Sequence, residues 1–239
     1  MIYIWIWIVS FMGSFIQGAT GFGYAIVCMS LWPFLLPFKV ASIMEVISAF
    51  VMTIGITIKL RHHINVKLML IPFCSSMAGS TLGVHLLFQQ EDMMLRSILG
   101  FALIVLSLYF IFYSDRIRIR PTTTNSIIFG FISGLCGGLF NIGGPAMVIY
   151  YLAASKDKME YNGTLQANFA LVTAYTFFMH LFYGNVTLPV LKYSFISILA
   201  VCVGSWLGLR FFYKIPQKQL KKVIYLFMIV MGMILIVKG

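Results

Sequence analysis

The feature that most constrains this chain is a succession of uninterrupted apolar runs, each near the length that crosses a bilayer core as a helix. About 20 residues are enough, because a helix rises 1.5 Å per residue and the hydrocarbon core is about 30 Å thick. Setting the runs against their polar interruptions gives eight segments, roughly 2–36, 41–60, 66–89, 94–114, 125–154, 163–183, 187–213 and 219–238. Of the 239 residues 61% are hydrophobic and only 10% charged, and no polar stretch is long enough to hold a separate soluble domain. Soluble domains carry about 25% charge. The expected fold class is therefore an all-α polytopic membrane protein whose solvent is the lipid bilayer. The first run, Met1 to Ile8, has no basic flank and no small-residue cleavage site, so it reads as the start of a structural segment and not as a signal peptide.

Two segments are too long for one crossing and are interrupted by glycine. The first breaks at Gly18-Ala-Thr-Gly-Phe-Gly23, the fifth at Gly137-Gly-Leu-Phe-Asn-Ile-Gly-Gly-Pro145. Clustered glycines with a proline end helices. The breaks belong to an internal repeat. A shift of 120 residues pairs Phe11 with Phe131, Gly18 with Gly138, Gly23 with Gly143 and Asn65-Val66 with Asn185-Val186. After a five-residue insertion, a shift of 125 pairs Gly79-Ser80 with Gly204-Ser205, Leu82-Gly83 with Leu207-Gly208, and Ile104-Val105 with Ile229-Val230. The expected organisation is a first transmembrane repeat over 1–114, a linker over 115–120 and a second repeat over 121–239.

Charge sets the expected orientation, because Lys and Arg in short loops favour the cytoplasmic side. Lys59, Arg61 and Lys67 lie in one loop, and Arg116, Arg118 and Arg120 in the linker. The loop corresponding to 59–67 in the second half, Tyr183 to Leu188, has no Lys or Arg. The junction Gln89 to Met93 is acidic, whereas its counterpart carries Arg210, Lys214, Lys218, Lys221 and Lys222. Corresponding loops thus differ in charge character, as inverted halves require. Each half then consists of a glycine-broken re-entrant helical hairpin plus three transmembrane helices, with a cytoplasmic linker and both termini outside. On this arrangement 13 of the 17 Lys and Arg lie inside, so the net charge of +11 reads as a topology signal and not as a nucleic-acid surface.

Backbone groups freed by a break inside a membrane must face protein or a polar cavity. Half-helices that begin there present unpaired N–H groups and partial positive charge, which suits an anion. The half-helices after Thr20-Gly21 and after Asn141-Ile142 are expected to meet at the pseudo-symmetry centre. Candidate substrate-binding residues are Gln17, Thr20, Gly21, Gly23, Asn141, Gly143, Gly144, Gln166 and Asn168. For Asn141 the competing reading is a helix cap, and Gln17, Thr20, Gln166 and Asn168 are weaker candidates for ligand contact than Asn141. Glu45 is the one acidic residue within a span and is the proton-coupling candidate, against a structural carboxyl near the outer boundary. His180 reads as a packing residue, and His62 and His63 as solvated loop residues. Cys28, Cys74, Cys136 and Cys202 are isolated in apolar runs, which argues against a metal site or a disulfide framework.

Gln17-Gly-Ala-Thr-Gly-Phe-Gly23, Gly134-Leu-Cys-Gly-Gly-Leu-Phe-Asn-Ile-Gly-Gly-Pro145 and Tyr161-Asn-Gly-Thr-Leu-Gln166 resemble the paired glycine motifs and second-half pattern of the sulfite exporter TauE/SafE family. The first motif departs from the family's richer glycine run at Tyr24. The resemblance implies a multi-pass plasma-membrane transporter for sulfite, thiosulfate, an organosulfonate or a related small anion, without a cofactor. The paired breaks favour alternating access in a secondary carrier, since no nucleotide-binding motif is present. A passive anion channel and a membrane scaffold or sensor stand as alternatives. An intramembrane hydrolase built on Ser133 and His180 is a further one, but Ser133 has no nucleophile-elbow setting and no orienting acid.

Overall fold

The computed structural model describes residues 1–113, 120–212 and 217–238; the side chains of Tyr113 and of 217–223 are outside the description. The linker arginines Arg116 and Arg118, and Lys214, therefore lie outside the described residues, as do the side chains of Lys218, Lys221 and Lys222. The described chain forms helices α1 (Ile2–Thr20), α2 (Tyr24–Leu31), α3 (Phe38–Lys59), α4 (Val66–Gln89), α5 (Asp92–Tyr113), α6 (Thr123–Phe140), α7 (Gly144–Ala154), α8 (Lys158–Phe182), α9 (Leu188–Phe211) and α10 (Gln217–Lys238). Six of them, α1, α3, α4, α5, α6 and α9, are long and apolar enough to cross a membrane. The protein is an all-α, multi-pass membrane protein.

Each glycine-broken segment folds as a helical hairpin. Gly13 of α1 faces Tyr24 and Cys28, so α2 returns along α1. The Ser133 hydroxyl donates to the Gly143 carbonyl at 2.8 Å, and Ser126 pairs with the Tyr150 hydroxyl at 2.5 Å, so α7 returns along α6. The arms are unequal. With 19 and 18 residues, α1 and α6 are roughly 27–28 Å long, a near-complete crossing and not half of one. The returning arms have 8 and 11 residues. The breaks are also narrower than the glycine clusters suggest, spanning 21–23 and 141–143, with Gly18, Gly137 and Gly138 inside helices.

Close helix crossing explains those internal glycines. A Cβ on Gly83 would lie 2.5 Å from the Leu135 carbonyl oxygen, and one on Gly79, Gly134 or Gly138 would strike the backbone of Phe131, Ser76 or Ser80. Thus α4 and α6 meet backbone to backbone, with Ser76 and Ser80 donating to the Gly130 and Gly134 carbonyls at 2.9 and 3.2 Å. Small residues and hydroxyls of this kind hold helices together in lipid, where apolar burial supplies no driving force. The crossing of α1 and α9 repeats the pattern. A Cβ on Gly204 would lie 2.6 Å from the Phe11 carbonyl oxygen, one on Gly208 would strike that of Phe15, and one on Gly18 would lie 2.6 Å from that of Ser205. Gly204 and Gly208 stand 125 residues after Gly79 and Gly83, and their partners Phe11 and Phe15 stand 120 before Phe131 and Leu135. Each long hairpin arm therefore packs on a helix of the opposite half, and the halves interlock.

Helix ends follow local chemistry. Asn65 caps α4 by accepting from the Leu68 amide at 3.1 Å. The polar run at 158–162, which hydropathy alone leaves outside a span, is helical because Asp157 accepts from the Met159 and Glu160 amides at 2.7 and 2.9 Å. Those bonds, the Glu160 amide first, hold the Asp157 carboxyl below the usual aspartate range.

Candidate functional site

The two breaks are built differently but tied down alike, each to a helix of the opposite half. Gly21 ends α1 in a left-handed conformation, φ 91°, with its amide donating to the Gln17 carbonyl at 2.7 Å, and Gly23 follows at φ 118°. Thr20 spends its hydroxyl on the Ile16 and Phe22 carbonyls at 2.9 and 2.6 Å. Gln166 of α8 donates to the Gly21 carbonyl at 2.7 Å and accepts from the Gln17 amide at 3.4 Å. Gln17 Oε1 in turn accepts from the Tyr24 amide at 3.1 Å. Gln166 and Gln17 thus clasp the first break.

At the second break Asn141 takes the left-handed position itself, φ 61°, the one non-glycine residue with positive φ among those described. Asparagine tolerates this conformation better than most residues. Its amide and that of Ile142 donate to the Gly137 and Cys136 carbonyls at 2.8 and 3.2 Å, closing α6. The Asn141 side-chain amide donates to the carbonyl and hydroxyl of Ser42 on α3, at 2.8 and 3.0 Å. The capping role is thereby filled, and the side-chain N–H groups are directed at α3.

The breaks meet at a cavity. A Cβ on Gly144 would lie 3.6 Å both from Phe22 Cβ and from the Phe169 ring. The cavity encloses about 690 Å³ of space between atoms, part of it open to the outside. Of the residues singled out from sequence, Gln17, Gly23, Glu45, Asn141, Gly143, Gly144 and Asn168 line it. Thr20, Gly21 and Gln166 stand behind the wall, supporting the first break. Both helix ends reach the cavity, Gly23, Ala25 and Ile26 at the start of α2 and Gly143 and Gly144 at the start of α7, and the first amide of α2 is held by Gln17.

Two lining side chains carry the site's unspent polarity. Asn168 is 1% exposed, and neither its amide nitrogen nor its oxygen finds a partner among the described residues. A buried amide left so costs free energy unless something else satisfies it. Glu45 is 3% exposed, two turns inside α3, and no hydrogen bond reaches its carboxylate among the described residues. Among the described residues no Lys, Arg or His lines the cavity. Thr53, Thr173 and Thr176 also line it, each with its hydroxyl donating to a carbonyl of its own helix at 2.7–2.9 Å.

Several lining residues carry no motif. Ala49 and Thr53 follow Glu45 at four-residue steps, and Val172 and Thr176 follow Asn168 likewise, so helical periodicity from the two polar residues traces both walls. His180 is fully buried away from the cavity, edge-on to Phe88 at 5.8 Å, with both ring nitrogens unpartnered. Ser133 lines the cavity but donates to the Gly143 carbonyl and not to a histidine base.

No curated protein and no solved structure matches the chain significantly. The family model described as sulfite exporter TauE/SafE matches residues 6–235, nearly the whole chain, and includes both hairpins and both walls of the cavity. With that match added to the multi-pass helical fold and its buried polar cavity, the chain belongs to the sulfite exporter TauE/SafE family, a family of membrane transporters for sulfur anions.

Proposed function

We propose that the protein is a secondary transporter that moves a small sulfur-containing anion, such as sulfite, thiosulfate or a short organosulfonate, across the plasma membrane by alternating access, with Glu45 as its proton-coupling group. The observation that carries this reading is the cavity between the two breaks, lined by Asn168, whose buried amide has no partner among the described residues, and by the N-terminus of α7. Together they offer neutral N–H donors to an oxyanion, the chemistry expected of helix ends and side-chain amides. Glu45 in the same space is compatible with an anion only when protonated, which links substrate occupancy to proton uptake.

The two halves, 1–114 and 121–239, act in this reading as inverted repeats, with both termini outside and the linker inside. The matched crossings of α4 with α6 and of α1 with α9 support it, since equivalent residues make equivalent contacts after exchange of halves. Two halves related in this way can exchange inward-open and outward-open shapes around one shared site.

The test is thermal stability of the purified protein against sulfite, thiosulfate, a short alkylsulfonate, sulfate, acetate and chloride. A ligand that binds only the folded state stabilises it by about 2.7 kcal/mol at a hundredfold excess over Kd. Selective stabilisation by sulfur oxyanions, abolished in Asn168→Ala, is the expected result. A flat response from folded protein would refute the anion site.

A further inference from the structure

A file of buried hydroxyls leaves the cavity beside Glu45 and is not accounted for by the anion site. Ser48 lies one turn after Glu45 on α3, fully buried, with its own proton donated to the Met44 carbonyl at 2.8 Å. The Tyr24 hydroxyl of α2, also fully buried, stands between Ser48 and Ser197 of α9, and is 2.9 Å from the latter. Ser197 in turn is 2.9 Å from Ser10 of α1, whose proton is fixed on the Ile6 carbonyl at 2.5 Å. One turn before Ser197, towards the start of α9, Ser194 is 1% exposed and its hydroxyl has no partner among the described residues. Beyond α9's first turn the Asn185 side-chain nitrogen is likewise buried and unpartnered, in the loop where its backbone amide holds the His180 carbonyl at 2.9 Å. Packing alone does not require three hydroxyls from three helices to converge on one another, nor a fourth left bare in line with them. Buried orphans of this kind are normally satisfied by ordered water.

We propose that Tyr24, Ser197 and Ser194 form a proton path joining Glu45 to the end of the molecule where α9 begins. The inference rests on the transport reading above and supplies the route by which its coupling proton travels. A proton leaving the Glu45 carboxyl is taken by Tyr24, Tyr24 gives its own to Ser197, and Ser197, turning from Ser10, gives its own to water at Ser194. Each hydroxyl takes one proton and gives one, so only Glu45 changes charge. Ser10, held on the Ile6 carbonyl, fixes the position of Ser197 by accepting from it. The titratable groups that sense the Glu45 charge among the described residues are Tyr24 and Cys28, both of α2. The cavity-lining parts of α1, α6, α7 and α8 contribute none, and Asp92 of α5 is spent two turns away on the Phe38 amide at 2.8 Å.

Proteoliposomes test the path with radiolabelled sulfite as the probe. Two readouts are taken, sulfite–sulfite exchange at equal pH and sulfite uptake driven by a pH gradient. Tyr24→Phe keeps the ring that packs edge-on to Trp32 at 6.2 Å, and Ser197→Ala removes one oxygen. Both are expected to leave exchange within about twofold of the unaltered protein while slowing gradient-driven uptake roughly tenfold or more, the scale of losing a positioned proton-transfer group. Gradient-driven uptake at the unaltered rate in both variants overturns the path alone. Equal loss of exchange and uptake assigns the hydroxyls a structural role and also overturns it. Retained pH-driven uptake in Glu45→Gln removes the coupling reading and the path together, and absence of sulfite exchange in the unaltered protein removes the transport reading for this probe and the path with it.

Discussion

Alanine at Gly83 and at Gly208 should destabilise the protein to a similar degree, whereas alanine at Gly55 should stabilise it. At Gly83 a Cβ would sit 2.5 Å from the Leu135 carbonyl oxygen and 2.8 Å from the Leu139 nitrogen, and at Gly208 it would strike the Phe15 carbonyl. In both places the obstacle is backbone, which cannot rotate aside, so α4 must retreat from α6, or α9 from α1. Overpacking of this sort costs about 1–3 kcal/mol, against which the better helix propensity of alanine returns about 0.5–1 kcal/mol. At Gly55 on α3 a Cβ would have nothing within 4 Å, so there only the propensity gain remains. The three variants should therefore separate by about 2 kcal/mol, read as melting temperature in detergent at about 2–4 °C per kcal/mol. Equal melting temperatures for all three would refute the backbone contact. A large loss at Gly83 with none at Gly208 would refute the equivalence of the two crossings.

Further outcomes follow from the site and its supports. Asn168→Leu should match or exceed the unaltered protein in melting temperature without anion, because it removes an unsatisfied buried amide, yet lose the stabilisation by sulfite. Gln166→Ala should cost about 1–3 kcal/mol by stripping the Gly21 carbonyl and the Gln17 amide of their partner, and thermal unfolding should report it. Asp157 has a depressed carboxyl pKa in the folded protein, so its contribution is complete above the ordinary aspartate range and is lost as pH falls through the folded value. The gap in melting temperature between the unaltered protein and Asp157→Ala should accordingly be constant near pH 7 and narrow as pH falls below the ordinary aspartate range.

Much of this fold is legible in the sequence because lipid leaves the backbone few choices. The segment 66–89 matches α4, and 187–213 and 219–238 lie within about two residues of α9 and α10. The start of α8 is not legible from hydropathy, since 158–162 is polar and is held by the Asp157 cap. The glycines mislead for a related reason. Glycine permits a turn and equally permits close approach, and a string cannot say which is in use. At Gly21 and Gly23 the positive φ shows the first use, and at Gly18, Gly134 and Gly138 the facing carbonyls show the second. Pairing Gly79 with Gly204 along the sequence suggests a repeat, but does not say that each of them rests on a helix of the other half of the chain.

The site is legible only in part, because hydrogen-bond accounting decides it and the sequence does not contain the accounts. Asn141 and Asn168 are the same residue type, both expected at the cradle. Asn141 spends its donors on Ser42 and its backbone on the left-handed cap, while Asn168 spends nothing. Polarity close to a break therefore points to architecture as readily as to binding, and the unspent group lies on a continuous helix opposite. The same accounting separates Gln166, committed to the first break, from Glu45, which faces the cavity without a bond. On the proposed reading, a cavity lined among the described residues by neutral donors and one carboxylate, and by no cation, holds its anion by dipoles. Such a seat gains strength from a dry surround and loses it when water enters, whereas a buried ammonium or guanidinium partner would hold on in both states. For a carrier that must release what it binds, neutral donors are the fitting choice.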